Sequence, residues 1–289
     1  MFFDEGYSGR KYIMADKTYE EAEFVMYGMP MDYTVSFRPG SRFGPNRIRE
    51  ASIGLEEYSV YLNRHLEEIQ VHDAGDMLLP FGNAAKSIAM IETYAEQLFK
   101  DGKFPVGLGG EHLVSWPVIK AANAAFDNLA IIHIDAHADL REEYEGEVLS
   151  HSTPIRKACE LLGPENVYSF GIRSGMREEF EYAATSGMHM SKFEVAAPLK
   201  EKIEELHGRN VYVTIDIDVL DPAFAPGTGT PEAGGISSKE LLEAIHTIAG
   251  SSVNVIGCDL VEVLPAYDPS EQTAVAASKF IREMLLGFK

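Results

Sequence analysis

Basic residues are scarce in this chain. Among its 289 residues, 25 Lys and Arg stand against 45 Asp and Glu, a formal net charge of −20. Such a surface repels nucleic-acid phosphates and anionic lipid, which argues against a non-specific DNA or RNA binder and a basic membrane-surface protein. Its field attracts small cations and divalent metals, although solubility alone explains much of the excess. Cysteine is nearly missing. Cys159 and Cys258 lie far apart and form no CxxC pair, so no disulfide scaffold or zinc ribbon is available and a reducing compartment fits. Apolar runs of about 18 residues are lacking, so nothing reads as a membrane span. The start, Met1-Phe2-Phe3-Asp4-Glu5, has neither the basic nor the apolar region of a signal peptide. A cytoplasmic protein is expected. No repeat, low-complexity stretch or Ser/Gly-rich linker divides the chain, and a single domain over 1–289 is the simplest organisation.

What is present is ordinary globular material: 45% hydrophobic and 24% charged residues, which excludes disorder. Short β-rich runs alternate with amphipathic stretches. The spacing predicts strands at Phe24–Gly28, Ile69–Asp73, Phe104–Leu108, Leu129–Asp135, Val167–Gly171, Met188–Met190, Val211–Asp216 and Val253–Leu260. Helices are expected at Ala84–Phe99, at Lys239–Ala249 with Ser237 or Ser238 as its cap, and from Arg42 to about Glu57 with Pro45 in its first turn. The alternation implies an α/β fold with a mostly parallel sheet covered by helices on both faces. An open doubly wound sheet and a (β/α)₈ barrel both fit. Both place their sites at the carboxyl ends of strands.

Three of those ends carry an unusual polar load. They read Gly109-Gly110-Glu111-His112, then Asp135-Ala136-His137-Ala138-Asp139, then Thr214-Ile215-Asp216-Ile217-Asp218-Val219-Leu220-Asp221-Pro222. Burying an unpaired carboxylate costs several kcal/mol, so an Ile-Asp-Ile-Asp run inside an apolar strand asks for a cation. Strand alternation puts Asp216 and Asp218 on one face, and likewise Asp135 and His137, with Asp139 following if the chain stays extended. Asp135, Asp139, Asp216 and Asp218 contribute −4 and two divalent ions +4, a balance suited to a dinuclear hydrolytic site. An oxygen and imidazole donor set without thiolate suits manganese or another hard first-row ion, with zinc still open.

These motifs resemble the ureohydrolase family, the arginase and agmatinase group. Arg38-Pro39-Gly40-Ser41-Arg42-Phe43-Gly44-Pro45 and Asp259-Leu260-Val261-Glu262-Val263 extend the resemblance over roughly residues 30 to 285. It implies a three-layer αβα fold around an open, mostly parallel eight-stranded sheet, which removes the barrel. It also implies two Mn²⁺ per subunit and a homo-oligomer, a trimer or hexamer. Carried over by motif, His112, Asp135, Asp139 and Asp216 hold one ion. His137, Asp135, Asp216 and Asp218 hold the other, with Asp135 and Asp216 bridging.

The implied reaction is attack of metal-activated hydroxide on a guanidinium carbon, followed by loss of an amine. Asp218 is the implied proton relay, and His151 matches the family's proton-shuttling histidine. A neutral-range pKa suits a histidine to that role. Ser152 follows His151 where agmatine-cleaving members often have Gly. Glu262 is the candidate for gripping the guanidinium through paired, charge-assisted hydrogen bonds. His133 shares the parity of Asp135 and reads as a satisfied core histidine or a support for that carboxylate. Glu111 reads as a loop cap.

The loop Leu140–Ser150 has Glu142, Glu143, Glu145 and Glu147 where arginases carry an Asn-rich stretch that recognises the α-amino and α-carboxylate groups. An acidic rim favours a dication. Agmatine is the expected substrate, giving putrescine and urea. The alternatives are another guanidino compound (guanidinobutyrate, guanidinopropionate or arginine) and a catalytically silent metal-binding interaction protein.

Overall fold

The structure, a computed structural model, describes residues 10–289, so the Met1–Glu5 start lies outside the described residues. An eight-stranded sheet runs through it. Its strands are β1 (Phe24–Met29), β4 (Val71–Asp76), β5 (Phe104–Gly109), β6 (Leu129–Ile134), β7 (Val167–Ile172), β8 (His189–Lys192), β9 (Asn210–Asp216) and β10 (Asn254–Val261). They lie in the order β4-β1-β5-β10-β9-β6-β7-β8. Every neighbouring pair is parallel. The sheet has two edges, β4 and β8, and therefore is not a barrel.

Both faces are covered, as the near-continuous apolar strands require. In β1, Phe24 and Met26 turn to one face, packed with side chains of α1 (Gly44–Ser52), α6 (Ala196–Lys202), α7 (Ser238–Ala249) and α8 (Gln272–Gly287). Val25, Tyr27 and Met29 turn to the other, packed with α2 (Ala84–Lys100), α3 (Ser115–Ala125), α4 (Pro154–Leu162) and α5 (Arg177–Ser186). Ser237 caps α7 by accepting from the Glu240 N–H (3.2 Å), and Pro45 sits in the first turn of α1.

Several boundaries move. The second predicted strand begins at Val71 instead of Ile69, because Leu66–Glu68 forms one helical turn held by a reciprocal cap between His65 and Glu68. The helix expected to reach Glu57 ends at Ser52. A turn closes it, with the Gly54 N–H on the Ala51 carbonyl (3.1 Å). A short antiparallel hairpin then follows, β2 (Tyr58–Ser59) with β3 (Arg64–His65), which the sequence pattern does not announce. No described helix is long and apolar enough to cross a membrane.

The helices after β5 and β6 lie on one face and those after β9 and β10 on the other. These four strands are contiguous in the order β5-β10-β9-β6. Such a reversal opens a crevice at the strands' carboxyl ends, where open α/β sheets bind their ligands.

Candidate metal centre

All eight candidate side chains reach that crevice. The chain leaves β5 through Gly110, which lies flat against the Met31 backbone: a Cβ there would come within 2.0 Å of the Met31 carbonyl oxygen. The Glu111 N–H then bonds that carbonyl (2.7 Å), and His112 is delivered to the centre of the sheet end. His112 Nδ1 lies 3.0 Å from Asp135 Oδ2, 3.2 Å from Asp139 Oδ2 and 3.5 Å from Asp216 Oδ2. His137 Nδ1 lies 3.0 Å from Asp218 Oδ2 and 3.6 Å from Asp135 Oδ1. Asp135 is thus common to both histidines.

Asp216 and Asp218 converge, but not through strand alternation. β9 ends at Asp216, whose carboxylate accepts the Asp218 N–H (2.9 Å) and starts one helical turn over Ile217–Val219. The Asp135–Asp139 segment also leaves the extended state. Asp139 adopts a left-handed backbone (φ +52°), and so does Glu262 (φ +64°). Such conformations are uncommon outside glycine and collect at functional sites.

Buried partners hold the ring of His112. Its Nε2–H reaches Thr214 Oγ1 (2.9 Å), which donates to Asp259 Oδ1 (2.6 Å), while the Tyr212 hydroxyl donates to Asp259 Oδ2 (2.7 Å). That leaves Nδ1 facing the three carboxylates, buried and with no hydrogen-bond partner among the described residues. His133 is a satisfied core residue that also supports the site: one ring nitrogen meets Asp135 Oδ2 (2.8 Å), the other Ser169 Oγ (2.9 Å). Thr230 donates its hydroxyl to Asp218 Oδ2 (3.2 Å).

The electrostatics call for a cation. Burial and the charges of Asp218, Asp135 and Glu262 push Asp216 well above the usual carboxylate range. Burial, with help from Asp135, raises Asp218. Burial and Glu111 raise Glu262 strongly. Asp135 goes the other way. Against burial, the close imidazoles of His112, His133 and His137 hold it well below that range. Burial opposes charge on His112 and His137 too, yet their carboxylate neighbours hold both well above an ordinary histidine. Removing four carboxylates from water with no partner but imidazoles to offset their charge is costly. An orphaned Nδ1 pointing at them, with oxygen and imidazole donors and no thiolate, fits hard divalent ions. Two overlapping groups have the required closeness: His112 with His133 and Asp135, and Asp135 with His137 and Asp218.

Glu262 stands beside the cluster. Its Oε1 accepts the His112 N–H (2.9 Å), and its own N–H bonds the Gly110 carbonyl (2.9 Å). It lines a cavity of about 270 Å³ together with His151, Asp139, Asp216, Arg141, Tyr144 and Glu179. Burial lowers the pKa of His151. Its ring nitrogens meet only Ser36 Oγ and Ser150 Oγ, each at 3.3 Å, and its ring lies edge-on to Tyr144 at 5.6 Å. Ser152 is buried, and its carbonyl accepts the Arg141 N–H (3.1 Å).

The acidic loop stands outside the cavity wall. Glu142, Glu143, Glu145 and Glu147 are exposed and none lines this cavity, but Glu145 and Glu147 line a neighbouring one that shares Ser36 and Tyr144 with it. Glu142 pairs outward with Arg156 (2.8 Å). The loop instead sends Arg141 and Tyr144 inward, stacked on each other at 4.9 Å. The carboxylate on the wall is Glu179, in the first turn of α5, which sequence reasoning missed. Its oxygens accept the Leu140 N–H (2.9 Å) and the Met176 N–H (2.7 Å), and Oε2 lies 3.7 Å from Arg141 Nε. Its only local signal is a Glu three residues after Met176 in the first turn of α5, a position that reads as a cap and nothing more.

Comparison with known proteins points to one family. A family model described as the arginase family matches residues 22–287. An agmatinase of Halalkalibacterium halodurans is 74% identical over the whole of both chains. An agmatinase of Bacillus subtilis is 68% identical over the whole of this chain and 99% of its own length. Among solved structures, a putative agmatinase from Clostridium difficile superimposes with a TM-score of 0.91 at 38% identity, over 94% of this chain and 98% of that one.

Proposed function

Because the chain belongs to the arginase family, we propose that it hydrolyses agmatine to putrescine and urea at the strand-end cluster, with two Mn²⁺ per chain. What supports the location is the buried Nδ1 of His112, unpartnered and facing three carboxylate oxygens within 3.5 Å. His112, Asp135, Asp139 and Asp216 would hold one ion, and His137, Asp135, Asp216 and Asp218 would hold the other.

When bound, two divalent ions supply a hydroxide-strength nucleophile from water at neutral pH. The protein does the rest. Glu262 has one oxygen occupied by the His112 N–H and the other open to the cavity, where it grips and orients the guanidinium by a charge-assisted hydrogen bond. Asp218, whose Oδ2 is steadied by the Thr230 hydroxyl, accepts the proton released as the C–O bond forms. His151, kept neutral by burial and loosely held at both ring nitrogens, carries a proton toward the departing amine.

The far end of the substrate is an ammonium. Asp139, Asp216, Glu262 and Glu179 line the cavity, where Arg141 is the one guanidinium among the described residues and already faces Glu179. Glu179 retains lone pairs beyond its two backbone partners and receives that ammonium. A substrate ending in a carboxylate meets the same wall unfavourably. On the same reading the enzyme is a cytoplasmic homo-oligomer, a trimer or hexamer, and each chain is one ureohydrolase domain.

Urea release measured over a panel of agmatine, arginine, guanidinobutyrate and guanidinopropionate after Mn²⁺ loading tests the proposal. Agmatine should exceed each of the others in kcat/KM by at least about 100-fold, the scale of a paired against a repelled buried charge. Equal turnover of guanidinobutyrate would reject the substrate, and no urea from any compound would reject the enzyme.

A further inference from the structure

We infer that Glu111 and Thr34 form a positioning pair that fixes the backbone of His151 against the loop carrying His112. This rests on the proton-carrying role given to His151 above. Glu111 is fully buried and spends both carboxylate oxygens on one residue. Oε2 accepts the Thr34 N–H (2.8 Å) and Oε1 accepts the Thr34 hydroxyl (2.9 Å). A threonine hydroxyl has one proton to give, so the same oxygen is left as an acceptor, and the His151 N–H donates to it (2.8 Å). The direction of the chain is therefore determined: His151 N–H to Thr34, Thr34 O–H to Glu111.

Three segments meet at this point. The one after β1 supplies Thr34, the one after β5 supplies Glu111 next to His112, and the long connection after β6 supplies His151. The contrast within His151 shows what the link is for. Its backbone is held by a short bond to the Thr34 hydroxyl, which is itself tied to a buried carboxylate. Its ring nitrogens have two hydroxyls at 3.3 Å as their hydrogen-bond partners among the described residues. A proton carrier needs that combination: a base that stays within reach of the reacting atoms and a ring free to exchange protons. Neither Glu111 nor Thr34 lines the site cavity, and Thr34 lines only the neighbouring one, its hydroxyl taken up by Glu111 and His151; both reach the reacting atoms through His151.

Steady-state urea release from agmatine, with bound metal counted on the same samples, tests the pair. T34V removes the hydroxyl from both partners. It should lower kcat about tenfold (about 1.4 kcal/mol) while KM and metal content stay unchanged. T34S, which restores the hydroxyl, should return kcat to within about twofold of wild type. In an H151A background T34V should cost nothing further, because the residue through which it acts is gone. E111Q presents an amide donor to a Thr34 donor and should reproduce T34V, which supplies a second reading if T34V does not fold. Wild-type kcat in both T34V and E111Q with H151A impaired overturns this inference and leaves His151 in place. Losses that multiply between T34V and H151A, or metal lost with T34V, also overturn it. Wild-type turnover in H151A removes the role of His151, and this inference with it.

Discussion

Two clusters of buried carboxylate sit in this molecule and are handled in opposite ways. In α8, Glu283 is buried among the protein's own donors. Its Oε1 meets Arg282 Nη2 (2.5 Å) and Lys279 Nζ (3.0 Å), while Oε2 meets the Ser59 hydroxyl (2.6 Å) and His246 Nε2 (3.0 Å). Burial alone would raise its pKa, yet these partners pull it down to about 2. At the strand ends no Lys or Arg approaches the carboxylates of Asp216 or Asp218 within ion-pair distance among the described residues, and both are pushed up instead. One cluster closes its charge internally and ties the β2–β3 hairpin to α7 and α8. The other has no Lys or Arg of its own to close its charge among the described residues. The supply of internal cations, and not the burial of an acid, separates the two clusters.

That contrast can be broken or sharpened by substitution. The largest effect is expected from Asp216→Asn, which removes a carboxylate proposed to serve both ions. Urea release should fall by at least about 1000-fold and bound metal should fall with it, as charge compensation requires; normal metal content in that variant would take Asp216 out of that role. Glu262→Gln should keep both ions and lower kcat/KM by about 100-fold, the value of one charge-assisted contact in a water-poor site. Elemental analysis beside kinetics separates the two variants. Glu179→Gln should raise the KM for agmatine about fivefold to tenfold and leave the KM for butylguanidine, which has no ammonium, unchanged.

The Glu283 cluster should respond to pH instead. Its folded pKa is about 2 against an ordinary 4.5. Its contribution to stability is therefore fully present above pH 4.5 and lost as pH falls toward 2. Denaturation midpoints measured from pH 6 to pH 2 should show that loss, and Glu283→Gln should be less stable at neutral pH with a flatter profile. The smallest effect belongs to the rim. Replacing Glu143, Glu145 and Glu147 together by Gln should change the KM for agmatine by less than about twofold, as exposed charges are worth little. A tenfold rise would return ammonium recognition to the loop.

Much of the floor of the site was legible from residue order alone, because its side chains come from the ends of apolar strands and a polar residue there has few explanations. A mostly parallel sheet followed from the β and α alternation, whereas its open form, against a barrel, followed only from the family resemblance. Other features depend on long-range packing that local periodicity does not encode. Asp216 and Asp218 converge through a helical turn, not through a pleat. The loop after Asp139 turns its acids outward and Arg141 inward. Glu179 and Thr34 reach the site from elements whose local patterns read as a helix cap and an ordinary loop. The hairpin of Tyr58–Ser59 and Arg64–His65 is too short for a two-residue period to register.

The most direct test of the central claim is a titration of chelator-stripped protein with Mn²⁺, following urea release from agmatine and bound metal together. Activity should be absent without the ion, rise with it and saturate at two ions per chain. Full turnover by the stripped protein, or no retained ion after loading, would contradict it.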